Sequence, residues 1–181
     1  MLPGMARRIG KKEVCAAGVT AAAAANLLLF LLRGMDPGVL MWVFLVLCFV
    51  SGCGLTVIVM QIWAMATDAI DDLEVRTGSR DDGTAYSVFN FFRKLGQVLA
   101  AVCVNGALLG MNYKYEKGAV QTLENLHKMY NLATLIPALL FAVMALILFF
   151  WYPLTRKKVA ELQVEKERKL REHYENRSID I

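Results

Sequence analysis

The sequence has few of the residues and motifs from which enzyme sites are built. It contains two isolated histidines, His127 and His173, and four cysteines that all fall inside apolar segments. No H-E-x-x-H, G-x-S-x-G or phosphate-binding glycine loop occurs, and the cysteine spacing matches no metal motif. Basic residues are not interleaved with aromatics as nucleic-acid binding requires. We therefore predict no enzyme, no metal site and no nucleic-acid partner, and we interpret the cysteines as small packing residues.

Charge is missing from four long stretches of the chain. Of its 181 residues, 57% are hydrophobic, and the mean hydropathy is +0.44. The apolar residues come in blocks, and a helix that crosses a bilayer needs about 20 of them. We therefore predict an all-α membrane protein with four spans, at about 14–32, 39–67, 84–111 and 129–152. The first run is longer than the apolar core of a signal peptide, so we interpret it as a retained span.

The predicted domain boundary follows the last span. Residues 1–154 form a transmembrane domain in this interpretation, and residues 155–181 form a charged tail. Pairs such as Glu165–Lys169 stand in the order that favours a helix, so the tail is predicted to be a solvated, fraying helix.

The distribution of basic residues predicts the orientation. Four precede Val14, two lie in the predicted loop 68–86 and eight lie in the tail, against four in the two opposite loops. Basic residues are enriched on the cytoplasmic side of membrane proteins. We therefore expect a multi-pass protein of the plasma membrane with both termini in the cytoplasm.

The third span carries a polar stripe. Its members recur at helical spacing and share one face: Ser87, Asn90, Lys94, Gln97 and Asn105. Such a stripe is expected to face protein or water and not lipid. Lys94 is its sharpest member, about seven residues or roughly 10 Å inside the span.

A buried ammonium group needs a carboxylate, an anion or water nearby. No Asp or Glu lies within the four predicted spans away from their ends, so a partner for Lys94 must come from elsewhere. In the alternative interpretation, the long Lys94 side chain reaches back to the membrane surface. Arg93, which lies off the polar line, is the better candidate for that behaviour.

An acidic cluster follows the second span. Asp68, Asp71 and Asp72 share a helical face, and Glu74 follows them. Carboxylates at the C-terminal end of a helix need cationic partners, which Arg76, Arg80 or basic residues of a neighbouring loop can supply. We predict a cytoplasmic latch, made of pairs that break when this side opens, from these residues: Asp68, Asp71, Glu74, Arg76 and Arg80. The alternative is a solvated loop with ordinary surface pairs.

The stretch around this cluster resembles a family signature. Trp63 to Ser87, W-A-M-A-T-D-A-I-D-D-L-E-V-R-T-G-S-R-D-D-G-T-A-Y-S, is similar to the signature of the glycoside–pentoside–hexuronide:cation symporters of the major facilitator superfamily. Three further stretches agree: Arg8 to Lys12, Lys94 to Gly96 and Tyr152 to Leu162. The resemblance covers nearly the whole chain, although Asp72 stands where many members carry tyrosine.

The resemblance implies cation-coupled uptake of a sugar or glycoside by twelve spans in two halves. This chain would supply spans nine to twelve and a charged cytoplasmic C-terminal helix. Lys94 would correspond to the lysine of span eleven, near cation and sugar sites whose carboxylates lie in the other half. Asp68, Asp71, Glu74 and Arg80 would correspond to the cytoplasmic charged network that holds the halves together.

Four spans cannot form two halves that move against each other. We therefore predict a fragment of a secondary active transporter, with sodium or a proton as coupling cation and no other cofactor. Its expected partners are the lipid bilayer, a sugar or glycoside, and the missing N-terminal spans or a partner subunit. The alternative is a small four-span protein that assembles with other membrane subunits.

Overall fold

The computed structural model describes residues 9–111, 113 and 121–179, with the backbone alone for residues 170 and 173–179. These residues form no β-strand and five long helices: α1 (Lys11–Leu31), α2 (Pro37–Thr77), α3 (Asp82–Gly110), α4 (Leu123–Leu146) and α5 (Arg156–Ile179). A 3₁₀ turn over Leu32–Gly34 follows α1, and a π-helical turn over Ile147–Trp151 continues α4.

The predicted all-α membrane fold is confirmed, because four helices are long and apolar enough to cross a membrane. The division into a transmembrane domain 1–154 and a tail 155–181 stays a prediction. Four basic residues used to predict the orientation lie outside the described residues: Arg7, Arg8, Lys114 and Lys117.

Short local signals set the two ends of α2. At the start of α2, the Asp36 carboxylate accepts a hydrogen bond from the Gly38 backbone N–H at 2.9 Å, and Pro37 takes the first helical position. This is a favoured arrangement for an N-terminus. At the other end, Gly78 adopts a left-handed conformation with φ 73°, which terminates α2.

The predicted loop over residues 68–86 is wrong at both ends, because residues 68–77 continue α2 and residues 82–86 begin α3. The helix α2 continues to Thr77 and has 41 residues, which is a length of about 60 Å. The hydrocarbon core of a bilayer is only about 30 Å thick, so one end of α2 projects from it. The acids are therefore held on a rigid helix, and the connection to α3 is confined to residues 78–81. Helix-favouring residues such as Leu73, Glu74 and Arg76 explain the extension.

The core lies between α1 and the two helices that flank it, α2 and α4. The buried side chains of α1 are mostly small: Val14, Cys15, Ala16, Val19, Ala22, Ala25, Asn26 and Leu29. Gly18 and Gly54 meet where α1 crosses α2, and a Cβ added at Gly54 would clash with the Gly18 carbonyl oxygen. Small residues at this crossing thus let the backbones of α1 and α2 approach closely. Of the cysteines, only Cys15 is buried, so the packing interpretation is wrong for Cys48, Cys53 and Cys103.

Two polar contacts fix the position of α1 in this core. The Asn26 amide donates to Ser51 Oγ on α2 at 2.7 Å. The Tyr130 hydroxyl of α4 donates to the Leu29 carbonyl at 2.8 Å. A polar group inside an apolar environment is costly unless it is hydrogen-bonded, so these contacts specify how the helices are rotated against one another.

The helix α3 lies outside this core and has no buried residue. An apolar cleft of about 710 Å³ separates its second half from α4, and Ala100 and Ile136 are among the residues that line it. Gly106 and Gly110 form a G-x-x-x-G, a pattern that is common where two helices approach closely. They make no such contact with the described residues, because a Cβ at either glycine would have nothing within 4 Å.

The charged tail is not the fully solvated helix that was predicted. Leu162 is 7% exposed, and α5 contacts α2. The Lys169 ammonium donates to the Val75 carbonyl at 2.6 Å. Burial of one apolar side chain and pairing with the acids of α2 hold the first half of the tail in place.

Candidate functional site

The acidic end of α2 brings cations from three other parts of the chain together. Asp68 and Asp71 are 5% and 6% exposed, so both carboxylates lie inside protein and not in bulk water. A buried carboxylate is stable as an ion only when cations or hydrogen-bond donors surround it. The partners come from the start of α1, from the connection between α2 and α3, and from the tail.

Lys11 pairs with Asp68. The Lys11 ammonium lies 2.7 and 2.8 Å from the two carboxylate oxygens of Asp68 and 3.5 Å from the Ala64 carbonyl oxygen. Its side chain is 35% exposed, whereas that of Asp68 is 6% exposed. The pair therefore joins the first turn of α1 to α2 at the edge of the apolar core.

Two cations share Asp71 and Glu74. Arg80 Nη1 lies 3.1 Å from Asp71 Oδ1 and 2.9 Å from Glu74 Oε2. The Lys166 ammonium lies 2.6 and 3.1 Å from the same two oxygens. We call Asp71, Glu74, Arg80 and Lys166 the carboxylate cluster. A third acid, Asp82, accepts a hydrogen bond from Arg80 Nε at 2.9 Å.

The turn at Gly78 makes this arrangement possible. Its left-handed backbone reverses the chain, so that Arg80 reaches back to acids on the preceding helix. Hydrogen bonds to Asp82 and then to Glu74 raise the pKa of the Arg80 guanidinium. The hydrogen bond to Asp71 is the main cause that raises the pKa of the Lys166 ammonium, with Glu74 adding to it. Both cations thus stay charged where the acids hold them.

Arg76 does not join the carboxylate cluster. Its Nε lies 2.9 Å from Asp72 Oδ2, one helical turn away, and its side chain is 61% exposed. An exposed pair of this kind contributes little to stability. The structure therefore brings three of the five predicted latch residues, Asp71, Glu74 and Arg80, into the cluster. Asp68 pairs separately with Lys11, and Arg76 lies outside the cluster. Their role as a latch stays a prediction.

The predicted polar stripe lies on an unpacked side of α3. All five members are exposed: Ser87, Asn90, Lys94, Gln97 and Asn105. Lys94 has no ion pair with any residue that the structure describes. The Asn105 amide donates to the Ala101 carbonyl of its own helix at 2.8 Å. The stripe thus faces none of the other three apolar helices, and its role in coupling and in lining a cavity stays a prediction.

Arg93 is held over an aromatic ring. Its guanidinium carbon lies 5.6 Å from the centre of the Trp63 ring, within the range of a cation–π interaction. The same ring makes an edge-on contact with Phe89 at 5.2 Å and a tilted contact with Tyr86 at 6.3 Å. The Tyr86 hydroxyl lies 3.0 Å from Thr67 Oγ1. These contacts join α3 to α2 near the charged end.

Their spacing sets the rotation of α3. Tyr86, Phe89 and Arg93 share one face, at steps of three and four residues. Since successive residues of a helix are about 100° apart, Lys94 points roughly a quarter turn away from this face. The contact with Trp63 therefore determines where the polar stripe points.

Sequence reasoning missed three of the cations at this end of the protein, which are Lys11, Lys12 and Lys166. Lys166 was predicted to lie in a solvated tail. The available signal was Leu162, one helical turn earlier, because an apolar and a basic residue on one helix face indicate a surface that docks. Lys12 donates to the carbonyls of Tyr152 at 2.7 Å and of Phe149 at 3.3 Å. It thereby satisfies carbonyls at the end of the π-helical turn. A lysine in a short basic stretch before a span carries no local signal of such a role.

Comparison with known proteins gives the class of this chain. A family model described as "MFS/sugar transport protein" matches residues 1–156. Together with the four apolar helices, this match makes the chain a multi-pass membrane protein of a transporter family and not of an enzyme family. The chain belongs to the MFS/sugar transport protein family. No solved structure matches it.

Its relatives include symporters, which confirms the resemblance to the glycoside–pentoside–hexuronide:cation symporters. The chain is 34% identical to the uncharacterized symporter YjmB of Bacillus subtilis over 89% of its own length. It is 33% identical to the glucuronide carrier protein homolog of Escherichia coli over 91%. It is 29% identical to a putative 2,3-dihydroxypropane-1-sulfonate exporter of Salmonella typhimurium over 92%. These matches cover 34%, 35% and 35% of the relatives, so the chain spans about a third of their length.

Proposed function

We propose that these four spans are part of a secondary active transporter that couples a sugar or glycoside to sodium or a proton by alternating access. They correspond in this proposal to spans nine to twelve of a carrier in the plasma membrane. Both termini of the chain then lie in the cytoplasm. Membership in the sugar transport family supports the class. The single observation that carries the mechanism is Lys94, a cation on the polar side of an otherwise apolar helix, without a partner among the described residues.

The environment of Lys94 is the reason for assigning it to coupling. A cation inside a span is costly, and residues of this kind usually line an ion or solute path. Since α3 leaves its polar stripe uncovered, the stripe fits a surface that meets the remaining spans across a central cavity. A carboxylate on that opposite surface would pair with Lys94, and a bound cation or solute would change the pair. The neighbours Asn90 and Gln97 supply hydrogen bonds to the hydroxyls of a sugar.

An acidic sugar or sugar-like anion is the substrate class that suits Lys94 best. Two relatives are described as a glucuronide carrier homolog and as a putative exporter of a sulfonate, and both of these solutes carry a negative charge. Such a solute would bring its own countercharge to the Lys94 ammonium. A neutral glycoside would need a carboxylate of the protein to do the same.

The carboxylates of Asp68, Asp71 and Glu74, together with Arg80, form the proposed latch on the cytoplasmic side. They lie at the projecting end of α2, where the connection to α3 and the tail meet. In the closed state, cations of the remaining spans join these carboxylates, and in the open state they separate. Asp71→Asn removes one negative charge from the cluster and is expected to weaken closure.

A four-span protein that assembles with other membrane subunits is the second candidate. The exposed polar stripe of α3 favours it as well, because that surface needs a protein partner in either case. The DNA upstream of Met1 distinguishes the two. An in-frame sequence that encodes eight further spans supports the carrier and removes the assembly protein.

The test of the carrier is Lys94→Ala in the complete protein, reconstituted in vesicles with a cation gradient. We expect coupled uptake to be abolished while the amount of inserted protein is unchanged. Lys157→Ala is the matched control, since Lys157 is exposed on the tail and is expected to be dispensable. Normal uptake by the Lys94 variant would show that this side chain reaches the membrane surface and has no part in coupling.

A further inference from the structure

The tail helix is docked onto the end of the protein where the proposed latch lies. Leu162 is 7% exposed, and Lys169 donates to a backbone carbonyl of α2. Between them, the Lys166 ammonium donates to Asp71 of the carboxylate cluster. The tail is thus attached by one apolar contact and two lysines, with Lys166 at the centre.

Lys166 and Arg80 bind the same two oxygen atoms, Asp71 Oδ1 and Glu74 Oε2. The two cations hold them differently. Arg80 is planar and connects three acids, because its Nε also binds Asp82, whereas Lys166 presents one ammonium at the end of a flexible stem. Lys166 also belongs to a helix with little apolar contact. Of the two cations, it is therefore the one that can leave.

The charge balance shows what its departure would do. Asp71, Glu74 and Asp82 are three carboxylates, which Arg80 and Lys166 reduce to one net negative charge. Without Lys166, the same carboxylates face Arg80 alone and two negative charges remain. A cation from outside this chain would then be attracted more strongly, because the attraction between charges grows with the charge of the site.

We infer that the tail competes with the latch inside the protein. Lys166 occupies carboxylates that a cation of the remaining spans needs to close the cytoplasmic side. This inference rests on the proposed function, since it takes the carboxylate cluster as part of a latch. When the tail is docked, closure on this side is weakened and the carrier opens readily. When the tail is released, Asp71 and Glu74 become available and the closed state is favoured.

Docking of the tail is tested first, and this test does not depend on transport. Hydrogen–deuterium exchange of the backbone amides in residues 159–169 is measured on the membrane-embedded protein. Lys166→Gln is expected to raise exchange up to about fivefold, the effect of losing one partly exposed ion pair. Lys166→Arg is expected to restore protection. The matched control is Lys158→Gln, which changes an exposed lysine without a partner among the described residues. Unchanged exchange in Lys166→Gln would overturn the inference.

Competition is tested in the complete carrier. A cysteine at Ser87, with Cys48, Cys53 and Cys103 replaced by alanine, reports access from the cytoplasmic side through its reaction rate with a membrane-impermeant thiol reagent. Lys166→Gln is expected to lower this rate up to about fivefold, because the closed state gains population. A faster or unchanged rate would overturn competition. Asp71→Asn is run alongside: if it leaves the rate unchanged, the latch itself is wrong, and tail docking stands on the exchange result alone.

Discussion

Lys11 and Asp68 form an ion pair in which one ammonium group contacts both carboxylate oxygens, at 2.7 and 2.8 Å. The two residues are 57 positions apart in the sequence. Their pairing connects the first turn of α1 to the point where α2 leaves the apolar core. It therefore fixes the two central helices at their charged end, while Gly18 and Gly54 bring them together further along.

Removing one partner of this pair is expected to destabilise the protein. Asp68→Asn leaves the Lys11 ammonium without its countercharge, and hydrogen bonds to charged groups contribute about 1.5–3 kcal/mol each. Because Lys11 is 35% exposed, water compensates part of the loss, and we expect about 1–2 kcal/mol. Thermal unfolding in detergent measures it. Asp72→Asn is the matched control, since its partner Arg76 is 61% exposed and solvated by water. Equal losses of thermal stability in the two variants would contradict a stabilising role of the Lys11–Asp68 pair.

The crossing of α1 and α2 gives a second prediction. Gly54→Ala places a methyl group against the Gly18 carbonyl oxygen and at 2.9 Å from Ala22 Cβ. The helices must separate, and overpacking of this kind costs about 1–3 kcal/mol. The measurement is again thermal unfolding. Gly52→Ala, two residues earlier, is the control, because a Cβ there has nothing within 4 Å; it is expected to leave stability unchanged or to raise it. A silent Gly54→Ala would show that the helices cross elsewhere.

The contact of Trp63 on α2 with α3 gives a third prediction. Trp63→Leu removes the ring that Phe89, Tyr86 and Arg93 contact. Aromatic pairs and cation–π contacts contribute about 0.5–1.5 kcal/mol each, so we expect faster hydrogen exchange in residues 84–95.

Trp42→Leu is the control for this joint, since Trp42 is 66% exposed and has no ring contact among the described residues. If the two variants exchange alike, Trp63 does not hold α3. In the complete carrier, Trp63→Leu is also expected to lower uptake, because α3 would no longer present Lys94 in a fixed direction.

Tail docking is expected to depend on pH at the alkaline end. The pKa of Lys166 is raised in the folded protein from 10.5. The ion pair therefore contributes fully below pH 10.5, and its contribution is lost as the pH rises through the higher folded value. Energy transfer between dyes on α2 and on the tail measures docking from pH 7 upward. Lys166→Arg should stay docked over the same range, because the guanidinium keeps its charge. Identical profiles for the two would exclude Lys166 as the titrating group.

Much of the site was predictable from local patterns. The spacing of Ser87, Asn90 and Lys94 is that of a helix face, and a helix face depends only on residues a few positions apart. The need of the acids from Asp68 to Glu74 for cationic partners was also predictable, because these acids are close together in the sequence. Their cations were harder to predict. Lys166 is 95 positions from Asp71, and no short-range pattern connects them.

By itself, the sequence determined three properties of the chain: its fold as a set of apolar helices, the positions at which charge interrupts them, and its family. These properties follow from composition, helical periodicity and a long signature, all of which are local. The tertiary structure decided that α1 is the buried centre, that α3 stands apart with its polar stripe uncovered, and that the tail returns to share Asp71 with Arg80. Each of these depends on how helices cross and where the chain reverses, since an ion pair forms only when the backbone brings its two charges within a few ångströms.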